Sequence, residues 1–211
     1  MNYRLLATSG LAVTLALSAA ACSSSGSSSS SSPATSAPAS SPAASSSASG
    51  AAAVDFGPAC SAVPTTGAGS FTGMSTAPVA TAASANPVLS TLVTAVTKAG
   101  LADTLNSAPA ITVFAPDNAA FAKIPSATLA KVLADKAELT KILTYHVATG
   151  RYTPAQLAAG TPIKTLEGAT IAPARMGATY EVNSADVVCG NVQTANATVY
   201  IINTVLMPPS P

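Results

Sequence analysis

The sequence predicts an α+β domain, with helices packed on a mainly antiparallel sheet. Apolar residues recur at helical spacing through most of residues 78–144, and the pattern changes to period-two alternation beyond Tyr145. A single β-rich run, Ile111 to Ala115, interrupts the helical half. Helices segregated from strands argue against a doubly wound nucleotide-binding sheet, in which the two alternate. The length of 211 residues suits one domain, with no room for a second sizeable core.

The elements follow in order. Residues 55–75 are rich in Gly, Pro, Ser and Thr around Cys60 and read as a loop pinned by a disulfide at that cysteine. Pro78 to Ala85 suits a short helix. Pro87, at a first helical position, opens a better one in which Val88, Leu89, Leu92, Val93 and Val96 share a face and Gly100 ends the run. After a turn from Leu101 to Asn106, the strand Ile111 to Ala115 stops at Pro116, which lacks an N–H, and Asp117 caps a short helix through Phe121. Ser126 to Ala134 and Lys136 to Thr144 place Leu129, Val132, Leu133, Leu139, Ile142 and Leu143 inward and Lys131, Lys136 and Lys141 toward water. Strand candidates are Ile163 to Leu166, Thr170 to Ala172, Thr179 to Val182, Asp186 to Cys189 and Thr198 to Ile202.

The N-terminal quarter has a different character. Residues 1–21 carry Arg4, an apolar run from Leu5 to Leu17 and the small residues Ser18 to Ala21, the pattern of an export signal. The run is about 13 residues long, short of the roughly 20 that span a bilayer as a helix. Cys22, directly after the small residues, resembles the cysteine of a bacterial lipobox, although Ala19 stands where that pattern prefers Leu. The resemblance implies a lipid on Cys22, cleavage before it, and attachment to the outer face of the cell membrane. The alternative is a plain secreted protein. Residues 22–54 then form a lipid-bearing disordered linker. Positions 23–50 hold sixteen serines and otherwise only Ala, Pro, Gly and one Thr, too little apolar surface to offset the entropy of folding. As a coil such a segment reaches about 30 Å, and fully stretched about 100 Å. Its composition also admits O-glycosylation. With Cys22 lipidated, Cys60 and Cys189 remain as an even pair in an oxidising compartment and should form a disulfide, two buried free thiols being the alternative.

Function classes can be excluded from the inventory. Only 8% of residues are charged, and without Arg4 the basic and acidic residues balance at eight each, so steering toward nucleic acid is not expected. One histidine, His146, and three cysteines are too few for a multi-His metal site or a zinc ribbon. No cofactor or metal is therefore expected. The segment Gly73-Met74-Ser75-Thr76-Ala77 only approaches a nucleophile elbow, with Ala77 in place of the last glycine and no strand before it. Glu181 and Asp186 are isolated carboxylates without an acid/base partner. No catalytic residue is assigned, and an enzyme is not expected.

Three segments now stand together: Thr112-Val113-Phe114-Ala115-Pro116-Asp117-Asn118-Ala119-Ala120-Phe121, Ile142-Leu143-Thr144-Tyr145-His146-Val147, and Asn196-Ala197-Thr198-Val199-Tyr200-Ile201-Ile202-Asn203 continuing to Pro208. In order and spacing they resemble the opening segment, the Tyr-His motif and the closing segment of the fasciclin domain, over residues 76–209. Ala197 and Tyr200 stand where that family usually has Gly and His. With the lipobox, the chain resembles the actinobacterial secreted or lipid-anchored members. The resemblance implies a helix-and-sheet wedge and a module for cell adhesion or for contact with cell-wall glycan, matrix protein or a host-cell receptor. A carrier of a small apolar ligand is the alternative. It also implies that Tyr145 and His146 hold or form an adhesion surface, with His146 expected as a buried, hydrogen-bonded ring. Asp186-Val187 is the nearest counterpart of an Asp-Ile pair that some members use, and a strand-edge carboxylate is the other reading of Asp186. The sequon Asn196-Ala197-Thr198 is read as accidental.

Overall fold

A computed structural model describes residues 54–209. The export signal, Cys22 and nearly all of the 22–54 linker lie outside those residues. Eight helices, α1 (Phe71–Ser75), α2 (Val79–Ser84), α3 (Ser90–Ala99), α4 (Ala102–Ser107), α5 (Asn118–Ala122), α6 (Ser126–Ala134), α7 (Lys136–Tyr145) and α8 (Pro154–Ala158), accompany eight strands among the described residues. The strands are β1 (Ile111–Pro116), β2 (Val147–Thr149), β3 (Ile163–Lys164), β4 (Thr170–Ile171), β5 (Pro173–Met176), β6 (Thr179–Val182), β7 (Ala185–Gln193) and β8 (Ala197–Ile202).

Six strands form one sheet in the order β2-β1-β8-β7-β6-β5, and β3-β4 form a separate pair. Every neighbouring pair is antiparallel except β1 and β8, which run parallel from Ile111 beside Ala197 to Pro116 beside Ile202. The architecture is therefore the expected α+β one with a mainly antiparallel sheet. The sheet curls at β7, where register shifts flank Cys189 and Asn191 takes φ 65°. The hairpin from β6 to β7 turns on Asn183 and Ser184, both at positive φ, as a two-residue turn compatible with strand twist requires.

The sheet separates two cores. On one face Val79, Leu92, Val96, Leu139 and Leu143 of the helices meet Val113, Val199 and Ile201. On the other, Phe114, Tyr200 and Ile202 meet Tyr145, Leu157, Ile163, Ile171 and Val182. All six residues of β1 and all six of β8 are buried. The alternation expected for the closing strand is therefore an alternation between two interiors, because sheet neighbours and cores cover both faces.

Local signals acted as their chemistry requires. Asp117 accepts the Ala120 N–H at the start of α5, and Asp135 accepts those of Ala137 and Glu138 at the start of α7. Gly100 closes α3 in the left-handed conformation, donating to the Thr97 carbonyl.

Two expectations need correction, and two further elements carry no readable pattern. The 55–75 loop contains a 3-10 turn at Pro58–Ala62 and the capped helix α1, in which Ser70 Oγ accepts from the Gly73 N–H. The turn after Gly100 is the helix α4, too short to show periodicity with Leu105 its one buried residue. Helix α8 is too short at five residues to show periodicity, and strand β5 is an exposed edge strand that begins at Pro173. Helix α6 turns Leu129, Val132 and Leu133 inward as expected, onto the margin of the helical core, with no residue fully buried.

Asn196 joins distant parts of this framework. Its Nδ2 donates to the carbonyls of Leu105 (2.7 Å) and Ala108 (2.8 Å), and its Oδ1 accepts the Val79 N–H (2.9 Å). The sequon amide is thus committed to the ends of α2 and α4. Asn196→Ala should lower unfolding free energy by about 1–3 kcal/mol, the cost of polar groups left without partners. Urea unfolding reads this, and an unchanged midpoint would show that water replaces the amide without loss.

Candidate functional site

The Tyr145-His146 pair lies where α7 passes into β2. His146 is the C-cap residue of α7, and its own carbonyl accepts the Phe114 N–H of β1. The ring is 2% exposed. Nδ1 lies 2.8 Å from the Ile142 carbonyl and Nε2 accepts the Leu206 N–H at 3.0 Å, so the hydrogen is on Nδ1 and the ring is neutral. Burial lowers its pKa to about 4, outweighing the opposing hydrogen bond to Ile142. Both ring nitrogens are therefore occupied, Nδ1 within α7 and Nε2 on the C-terminal segment, and neither is left to act as a general base.

Tyr145 is also 2% exposed and enters the second core. Its hydroxyl donates to the Thr170 carbonyl and accepts from Asn183 Nδ2, linking α7 to β4 and to the β6-β7 turn. Adjacent residues thus hold two separate regions of the fold. Both side chains are buried and fully engaged within the fold.

Asp186 and Val187 part company. Val187 is buried in the second core, whereas Asp186 is exposed on β7. The Asp186 carboxylate accepts from Asn203 Nδ2 at 2.8 Å, and the two residues also exchange bonds through the Asp186 N–H and the Asn203 N–H. The carboxylate pins the exit of β8 to the strand beside it. Tyr200 donates to the Tyr152 carbonyl and stacks on Phe114 with ring centroids 5.9 Å apart.

Cys60 and Cys189 are joined in a disulfide with Cα atoms 4.9 Å apart. Beside it Phe56 pairs with Gly190 through two backbone hydrogen bonds. A Cβ on Gly190 would collide with the Phe56 ring, which packs in turn on Tyr180. The segment around Cys60 is therefore a strap along β7.

Ser75 of the elbow-like segment lies on α1, its hydroxyl donating to the Thr72 carbonyl, in a helix and not at a strand-to-helix turn. Among the described residues no three His, Cys, Asp or Glu residues gather as a metal site, and no helix is long and apolar enough to cross a membrane.

One feature had no single sequence signal. Between α2, α3, α4, α7 and β1 lies a cavity of about 260 Å³. Val79, Leu92, Val96, Leu105, Val113 and Leu143 are among its walls, and exposed Thr81, Ser84, Thr97 and Thr104 stand at its rim. The apolar stripes of three helices were legible, but not the gap left where those stripes meet.

A curled sheet between two cores, with a Tyr-His junction serving as framework, defines a FAS1-type α+β module. The same fold occurs in a FAS1 domain pair from the insect cell adhesion molecule Fasciclin I, at a TM-score of 0.54 and 19% identity over 64% of this chain and 52% of that one. The chain belongs to the fasciclin family, whose domain model matches residues 87–208. It is 49% identical over 169 residues to the immunogenic protein MPB70 of Mycobacterium bovis, covering 76% of this chain and 86% of that protein. It is 50% identical over 150 residues to the cell surface glycolipoprotein MPB83 of the same species, covering 69% and 67% respectively.

Proposed function

We propose that this protein is a lipid-anchored extracytoplasmic fasciclin module, held at the outer face of the cell membrane and mediating adhesion or contact with cell-wall glycan, matrix protein or a host-cell receptor. The observation that carries the reading is the presence, in one chain, of a lipobox-like Cys22 and a domain half identical to a cell surface glycolipoprotein. The burial of Tyr145 and His146 supports a framework role for that pair, leaving contact to the surface they hold. The Ser-rich segment supplies reach.

Globomycin, which blocks lipoprotein processing, should leave an unprocessed precursor, and Cys22→Ser should release the protein from the membrane. Binding to whole cells, glycan or matrix protein should survive deletion of residues 23–50. A Cys22→Ser chain processed and membrane-bound as before would remove the anchor. A folded chain of residues 55–211 that binds none of these targets would remove the adhesion role.

A second reading, an extracytoplasmic carrier of a small apolar ligand, is favoured by the 260 Å³ cavity. Solvent extraction of purified protein followed by mass spectrometry separates it from the first.

A further inference from the structure

We propose that the cavity between α2, α3, α4, α7 and β1 binds a neutral single-chain amphiphile, with the chain in the apolar interior and a hydroxylated head at the rim. The proposal rests on the carrier reading and names its ligand class. Size is the first argument. Protein interiors pack like organic crystals, with few voids larger than a water, and an apolar cavity of about 150 Å³ already accepts benzene. At about 260 Å³ this space exceeds packing slack and suits an alkyl chain better than water, which would find few polar partners along Val96, Leu105 and Val113.

The rim selects the head. None of the lining residues is an acid, a lysine or an arginine. Three of its hydroxyl hydrogens are spent inside the protein: Ser84 Oγ donates to the Thr81 carbonyl, Thr97 Oγ1 to that of Val93 and Thr144 Oγ1 to that of Thr140. Asn106 Nδ2 donates to Thr81 Oγ1. Hydroxyl lone pairs remain, and they suit a head that brings its own O–H donors. A carboxylate or phosphate only accepts, would meet no cation, and would find neutral donors only at the Thr81 and Thr104 hydroxyls and the second Asn106 amide hydrogen. A quaternary ammonium would meet no carboxylate.

The test uses the full-length Cys22→Ser chain purified without detergent, titrated calorimetrically with monodecanoylglycerol, decanoate and decyltrimethylammonium. The glycerol ester should bind, and the two charged probes at least about tenfold more weakly, a difference of about 1.4 kcal/mol. Val93→Phe, which fills the cavity from a half-buried position on α3, should weaken the ester by at least about tenfold with the melting temperature held. Thr97→Lys, at an exposed rim position, should instead strengthen decanoate by about tenfold and provides a readout if the phenylalanine variant does not fold. Equal binding of all three probes would overturn the neutral-head assignment while leaving a carrier. Unchanged binding in folded Val93→Phe, or no effect of Thr97→Lys on decanoate, would overturn the location. Failure of every probe to bind, with nothing apolar extracted from the exported protein, would remove the carrier reading itself.

Discussion

Replacing Cys60 and Cys189 together by alanine should lower the unfolding free energy by up to about 5 kcal/mol, the chain-entropy value for a loop of this length. The bridge spans 129 positions and so restricts most of the described chain in its unfolded state. It also acts on the folded side, because the 3-10 turn carrying Cys60 lies against β7, the strand whose irregular register curls the sheet. Guanidinium unfolding of the oxidised protein and the double variant measures the effect. Hydrogen exchange at the Phe56 and Gly190 amides, which pair across the strap, should accelerate in the variant. Equal unfolding midpoints, with both amides still protected, would show that packing alone holds the strap.

Acid should destabilise the fold through His146. The unfolded ring takes up its proton near the ordinary value of 6.5, whereas the buried ring does so at about 4. Between those values the unfolded state binds more protons than the native state, so stability falls as pH falls through the window. The stabilisation is fully present above about pH 6.5, and the slope from this group vanishes below about pH 4. At about 1.4 kcal/mol per unit the loss approaches roughly 3 kcal/mol. His146→Gln should cost about 1–3 kcal/mol at neutral pH, where the bond to Leu206 or Ile142 is weakened, and should also flatten the dependence across the window. The difference between the two proteins isolates the histidine from carboxylates titrating nearby in pH. Parallel stability curves would show that the ring is not the acid-sensitive group.

Legibility followed the length and the chemistry of each segment. Helices α3 and α7 were readable because ten residues each carry a full apolar stripe with a stop at Gly100 or a cap at Asp135. Helix α8 offered only its capping signal, Thr153-Pro154-Ala155-Gln156, in which Thr153 and Gln156 satisfy each other's backbone N–H groups. That signal is local, and with no periodicity beside it five residues do not read as a helix. The Tyr145-His146 pair could be named from the family motif, and a structural histidine could be expected, but its second partner, Leu206, lies 60 residues away. Asp186 was legible as an isolated carboxylate, and its pairing with Asn203 was not.

The sequence by itself determined the α+β class, the family, the disulfide pair and the strand-to-helix corner at Pro116-Asp117, because these depend on local periodicity, capping chemistry, motif order and a count of cysteines. Only the tertiary structure decided that β1 and β8 run side by side in parallel, that Tyr145 and His146 serve different parts of the fold, and that the helices leave a cavity above β1. Those features arise where side chains from segments far apart in the chain meet, and close packing is a property of the assembled surfaces, not of any one stretch of residues.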